Sequence, residues 1–86
     1  MITDIKNWTE VTRGIYRYVI AAKAAYEIHI LNWNTQLPIE SSRASLCIVG
    51  DWITSEGNFF DRELLVKDGS LLHCLFIAEQ DYRENC

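Results

Sequence analysis

Glu27 and His29 are the pair of residues in this chain whose types and spacing best suit chemistry. They lie two apart in a segment that alternates apolar and polar residues, so a strand would place both side chains on one face. With a carboxylate from another strand, Asp61 or Glu63, they could bind a metal ion or act in acid–base catalysis. A solvated strand face carrying a charge pair explains the same pattern. We therefore assign no catalytic residue, no metal ligand and no cofactor from the sequence.

Three charged residues, Asp61, Arg62 and Glu63, interrupt the apolar segment 59–66, which otherwise has the composition of a strand. In a strand, Asp61 and Glu63 share one face and Arg62 lies on the other. Charges on both faces suit an edge strand, where they hinder pairing with a second chain. The alternative is a binding site that contains Arg62.

Aromatic residues are numerous for so short a chain, with three Trp, four Tyr and three Phe. Trp33 stands between two asparagines where a strand meets a polar loop, and Trp52 follows Asp51 and Gly50, a candidate bulge. Aromatic side chains are enriched at interface hot spots, although each one can equally belong to the core. The candidate partner-binding residues are Trp33, Trp52, Asp51, Arg62, Glu63, Glu27 and His29.

Known catalytic motifs are missing from the sequence. It has no P-loop, no G-x-G-x-x-G and no nucleophile elbow. The nuclease motif that combines an Asp with Glu-x-Lys is also missing, because Glu63 is followed by two leucines and not by a lysine at the second position. Cys47 and Cys74 lie within apolar runs, and the odd cysteine count gives no disulfide framework, so we expect both to be small buried residues.

The last two thirds of the chain predict two strands and a helix. Residues 44–53 and 59–66 are rich in β-branched and aromatic residues, and the polar stretch 32–42 with its single proline predicts a loop. Asp68 and Gly69 then predict a break in the chain between the second strand and the helix. Ser70 is a candidate N-cap for an amphipathic C-terminal helix, whose apolar stripe is Leu71, Leu75, Ala78 and Tyr82, widened by Leu72 and Phe76.

The first third allows two interpretations. Residues 15–20 and 24–31 alternate as a hairpin turning at residues 22–24, although no Gly, Asn or Asp stands at the turn. The alternative is an N-terminal helix over residues 8–25, followed by a three-stranded sheet and the C-terminal helix. We favour the hairpin, because Gly14 would weaken a helix. The predicted fold is α+β: a four-stranded antiparallel meander, the C-terminal helix packed on one face, and a short turn of helix within residues 3–11.

Composition limits the class of protein. The chain has 86 residues, 49% of them hydrophobic, and a net charge of −4, which predicts a single domain over residues 1–86. Its eight basic residues are scattered, so nucleic-acid binding is disfavoured. No apolar run approaches the length of a membrane span, and no segment has the pattern of a signal peptide, so we expect a cytoplasmic protein without a membrane partner.

Three functions remain as hypotheses. The first is a non-enzymatic protein-interaction module, self-associating as a homodimer, because one helix cannot cover both faces of a four-stranded sheet. The second is an acidic antagonist of a nucleic-acid-handling protein, favoured if Glu27, Asp51, Asp61 and Glu63 cluster on one surface. The third is a small metal-dependent enzyme that uses Glu27, His29 and a second carboxylate.

Overall fold

An antiparallel sheet of five strands, in the order of the chain, carries one C-terminal helix in the computed structural model. The backbone is described for residues 1–21, 24–32, 41–54 and 57–85, and side chains for the same residues except 21, 51–54, 57–61 and 85. The elements are a 3-10 turn (Ile5–Asn7), β1 (Thr9–Thr12), β2 (Ile15–Ala21), β3 (Ala24–Asn32), β4 (Arg43–Thr54), β5 (Gly57–Ser70) and α1 (Leu71–Asn85). The α+β class and the meander are thus confirmed.

The hairpin in the first third of the chain is confirmed, and the alternative helix over residues 8–25 is wrong. Strands β2 and β3 pair antiparallel, with Arg17 opposite Glu27 and Tyr18 opposite Tyr26. Residues 22 and 23, where the turn was predicted, lie outside the described residues. The β-branched and aromatic residues of β2 favour the pleated, half-buried surface more strongly than the helical spacing of the same residues favours a helix.

Strand β1 was not predicted, so the count of four strands is corrected to five. Its side chains are all exposed, and a strand without a buried face leaves no apolar alternation in the sequence. Gly14 makes the turn into β2 with a φ of 84°, which glycine adopts without a steric penalty. The helical turn expected within residues 3–11 is limited to Ile5–Asn7, capped by the Asp4 carboxylate, which accepts from Lys6 N at 3.0 Å.

Strands β4 and β5 form the longest hairpin of the sheet, and two local predictions fail there. Pairing is regular from Cys47 to Thr54, so Gly50 marks no bulge. The irregularities lie between Ala44 and Cys47 instead, where β5 contains extra residues opposite β4. The predicted break at residues 68–69 is absent because Gly69 continues β5: a Cβ there would lie 3.1 Å from His73 Cδ2, so glycine permits close approach to the helix.

Helix α1 begins as predicted, since Ser70 Oγ accepts a hydrogen bond from His73 N at 3.1 Å. Three predicted stripe residues, Leu71, Leu75 and Ala78, are buried against the sheet, together with Cys74. The predicted widening of the stripe is wrong, because Leu72 and Phe76 are 45% and 57% exposed. Within the described part of the chain, no helix has the length and apolarity required to cross a bilayer.

The main core lies between α1 and one face of the sheet. Two polar contacts fasten it: Trp8 Nε1 donates to the Ile2 carbonyl at 2.7 Å, and the Tyr26 hydroxyl donates to Asp81 Oδ2 at 2.5 Å. Since α1 packs on this face only, the other face has no covering element among the described residues. The core residues are Ile2, Trp8, Tyr26, Ile28, Ala44, Leu46, Val66, Leu71, Cys74, Leu75 and Ala78.

Candidate functional site

The sheet face that points away from α1 holds the candidate site, and we call it the open face. Cross-strand register and strand alternation assign its residues. A small apolar cluster of Ala25, Cys47 and Val49 lies at its centre. The open face includes Arg17, Val19, Ala25, Glu27, His29, Leu31, Ser45, Cys47, Val49, Arg62 and Leu64.

Glu27 is the buried charged residue of this face, with an exposure of only 3%. It lies on the central strand β3, directly opposite Arg17 on β2 and Cys47 on β4. Arg17 donates to Glu27 Oε2 from Nη2 at 2.9 Å and from Nε at 3.3 Å. Arg62, from the edge strand β5, donates to the other oxygen, Oε1, at 3.2 Å. Two arginines on opposite sides of β3 therefore hold one carboxylate.

His29 and Cys47 complete the surroundings of this carboxylate. His29 Nε2 lies 2.6 Å from Glu27 Oε1, and the Cys47 thiol donates to the Glu27 backbone carbonyl at 3.6 Å. The possible metal-ligating atoms of Glu27, His29 and Cys47 all lie within 4.8 Å of one another. A carboxylate, an imidazole and a thiol thus converge on one point of the open face.

The electrostatics keep Glu27 ionised. Burial raises the pKa of Glu27, but the hydrogen bonds from Arg17 and His29, with the charge of Arg62, more than offset this, so the pKa lies below its ordinary value. Burial raises the pKa of the Cys47 thiol, and the Arg62 charge opposes that rise in part. At neutral pH the site therefore holds a carboxylate next to a protonated thiol.

The described side chains of the cluster have the opposite sign of charge to the chain as a whole. Among them, two arginines and one ionised carboxylate leave one positive charge in excess, whereas the chain has a net charge of −4. Both arginine side chains are about half exposed, at 44% and 47%. Around them lie aliphatic side chains that solvent reaches: Val19, Leu31 and Leu64 are 68%, 54% and 56% exposed.

Three of the predicted site residues meet in this cluster: Glu27, His29 and Arg62. Glu63 does not, because it is opposite Ile48 in the register and lies on the helix side of the sheet. The backbones of Asp51 and Trp52 lie in β4, but their side chains are outside the described residues, as are Trp33 and the side chain of Asp61.

Sequence reasoning missed Arg17 and Cys47 as members of the site. A partial signal for Arg17 was present, because a hairpin that turns at residues 22–24 places position 17 beside positions 27 and 29 on the same face of the sheet. Cys47 carried no such signal, since the register of β4 against β3 depends on a long connection whose length fixes no pairing.

Comparisons with models of protein families, with curated proteins and with solved structures find no match for this chain.

Proposed function

We propose that this protein is a non-enzymatic interaction module that forms a homodimer by packing its open face against that of a second copy. The observation that carries the proposal is the exposure of Val19, Leu31 and Leu64 around an ionic cluster whose buried carboxylate is already paired. Exposed apolar side chains that gather on one face are typical of surfaces that become covered.

The pairing of Glu27 matters for this proposal, because covering a charge is costly unless partners accompany it. Arg17 and Arg62 supply those partners within one chain, so a second copy need not provide any. The open face can therefore lose water without leaving a buried carboxylate unpaired.

The size of the open face suits a small dimer. Five strands spaced by about 4.8 Å, with a length near eight residues, give a projected area of about 600 Å². A standard interface buries about 800 Å² per partner. The accessible surface of a face with protruding side chains exceeds its projection, so the two values are compatible.

An extension of the β4–β5 hairpin provides a second contact surface. The pairing of β3 with β4 ends at Ala24 and Gly50, whereas β4 and β5 remain paired for four further residues each, 51–54 and 57–60. A two-stranded ribbon is marginally stable alone. Contact with a second copy would stabilise it, and its sequence includes Trp52, Phe59 and Phe60.

The other two hypotheses have weaker support. An acidic antagonist needs its carboxylates on one surface, but Glu27 is buried between arginines and Glu63 lies on the helix side of the sheet. A metal-dependent enzyme needs a second carboxylate beside Glu27 and His29, and Glu63 does not reach them. The positions of Glu27 and Glu63 therefore support neither function as well as the exposed apolar side chains of the open face support dimerisation.

Sedimentation equilibrium at several protein concentrations tests the proposal. We expect a mass of two chains for the wild type and of one chain for Leu64→Lys, which adds a charge to the open face. Leu72→Lys is the matched control, because Leu72 is comparably exposed but lies on α1, and it should remain dimeric. A wild-type monomer at every concentration overturns the proposal, and so does a dimer that Leu72→Lys dissociates and Leu64→Lys does not.

A further inference from the structure

We propose that Glu27, His29 and Cys47 form a binding site for a divalent cation that prefers thiolate and imidazole ligands, with Zn²⁺ as the best match. The three side chains come from neighbouring strands β3 and β4, and their ligand atoms all lie within 4.8 Å of one another. This site goes beyond the interaction module, and it lies on the same open face against which a second copy would pack.

The spacing of the donors is close to what zinc requires. Zn–N and Zn–O bonds of about 2.0–2.1 Å and Zn–S bonds of about 2.3 Å place tetrahedral ligands roughly 3.3–3.7 Å apart. His29 Nε2 and Glu27 Oε1 are closer than this, at 2.6 Å, since they share a hydrogen bond. Side-chain movements that shift the ligand atoms by about 1 Å would bring them to these distances. His29 is 30% exposed, so a water molecule can supply the fourth ligand.

Binding exchanges protons for the cation. Glu27 is already ionised at neutral pH, so it coordinates without losing a proton. The Cys47 thiol loses its proton to solvent as the S–Zn bond forms, and the hydrogen bond to the Glu27 carbonyl is lost with it. Burial raises the pKa of the Cys47 thiol, and the nearby Arg62 charge offsets part of that rise. Coordination also needs the lone pair of His29 Nε2, so the neutral imidazole carries its proton on Nδ1 in the metal-bound site. With that tautomer, the thiol proton is the one released for each Zn²⁺ bound.

The arginines compete with the cation for Glu27. Arg17 contacts Glu27 at Oε2 and is 44% exposed, and its positive charge opposes a cation at the neighbouring Oε1. Removal of this competitor should strengthen metal binding. A cation site with a built-in competing arginine predicts that Arg17→Gln raises the affinity, whereas a purely structural ion pair makes no such prediction.

Cobalt titration of the full chain tests the site, in a Cys86→Ser background that removes the terminal thiol. We expect one Co²⁺ per chain with a thiolate-to-cobalt charge-transfer band, displacement by Zn²⁺, and release of one proton. Cys47→Ser should abolish the band, and His29→Gln should weaken binding at least about tenfold, since even outer-shell partners of a metal contribute 10–100-fold. Arg17→Gln should bind more tightly.

The chain offers matched controls, because a second histidine and, in the Cys86→Ser background, a second cysteine lie outside the cluster. Cys74→Ser and His73→Gln alter a thiol in the main core and an imidazole on α1, and both should leave Co²⁺ binding unchanged. Circular dichroism confirms that each variant is folded. A missing thiolate band in the folded wild type overturns the proposal, as does a band that survives in folded Cys47→Ser. Sedimentation equilibrium of the same variants reports on the dimer, so loss of metal binding and loss of dimerisation can be told apart.

Discussion

Glu27 illustrates how a single buried carboxylate can determine the properties of a sheet face. Its two oxygens accept from Arg17 and Arg62 on either side of β3, and His29 occupies the remaining approach. Hydrogen bonds to an ionised group contribute more than neutral ones. Because these contacts join side chains of β2, β3 and β5, they favour one register of the three strands.

Glu27→Gln tests that role. Glutamine keeps the shape but loses the charge that both arginines contact, so we expect the free energy of unfolding to fall by about 1–3 kcal/mol in urea titrations at pH 7. Glu79→Gln is the control: its partner Arg83 is 73% exposed, and the loss should be below about 0.5 kcal/mol. Equal losses in both variants contradict a special role for Glu27.

The difference in stability between the wild type and Glu27→Gln should also depend on pH. Because the pKa of Glu27 is lower in the folded than in the unfolded protein, its contribution is complete above the unfolded value of about 4.3 and is lost as pH falls through the folded pKa. The stability difference between wild type and Glu27→Gln should therefore shrink below about pH 4. A difference that stays constant into strong acid shows that the charge is not its source.

The sequence identified part of this cluster. Glu27 and His29 share a face through strand alternation, which is a local rule and was predictable. Arg62 was predictable as a candidate binding residue, because a charge is unusual in an apolar strand. Cys47 was interpreted as a small core residue, because its position beside Glu27 depends on pairing between segments that are distant in the chain. Non-local register was the missing information.

At the scale of elements, the N-terminus of α1 depends on one side chain. Ser70 Oγ accepts from His73 N and thereby satisfies a donor of the first helical turn. Ser70→Ala should lower the free energy of unfolding by about 1 kcal/mol and speed amide exchange in the first turn, while Ser70→Asp retains the cap. Chemical denaturation and hydrogen exchange measure both. If Ser70→Asp is as unstable as Ser70→Ala, the hydroxyl acts through a contact other than capping.

The elements that the sequence predicted are those with a buried face. Strands β2 and β3 and helix α1 have apolar side chains at regular spacing, which made them predictable, and β4 was predictable from its β-branched and aromatic composition. Strand β1 is exposed throughout, so its pairing with β2 leaves no pattern to detect. The end of β5 was misjudged for a related reason: Gly69 permits close packing onto His73, yet in sequence it resembles a turn.

At the scale of the whole molecule, charge is distributed unevenly. The chain is acidic, yet the described side chains at the centre of the open face carry one positive charge in excess. Two copies packed through this face bring like charges together, whereas an acidic partner would be attracted to it. The response of association to ionic strength therefore distinguishes the two kinds of occupant: self-association should strengthen with salt, and binding to an acidic partner should weaken.

Arg17→Gln makes this argument specific to the open face. Like charges about 10 Å apart repel by roughly 0.4–1.7 kcal/mol for an effective dielectric constant of 80 to 20, so removal of one from each copy should tighten the dimer about two- to twentyfold at low salt. The gain should vanish at high salt, where charges are screened. Arg83→Gln, on α1, removes the same charge elsewhere and should not tighten the dimer. If Arg17→Gln weakens association instead, Arg17 makes an attractive contact with the occupant, and the open face is adapted to an acidic partner and not to a second copy.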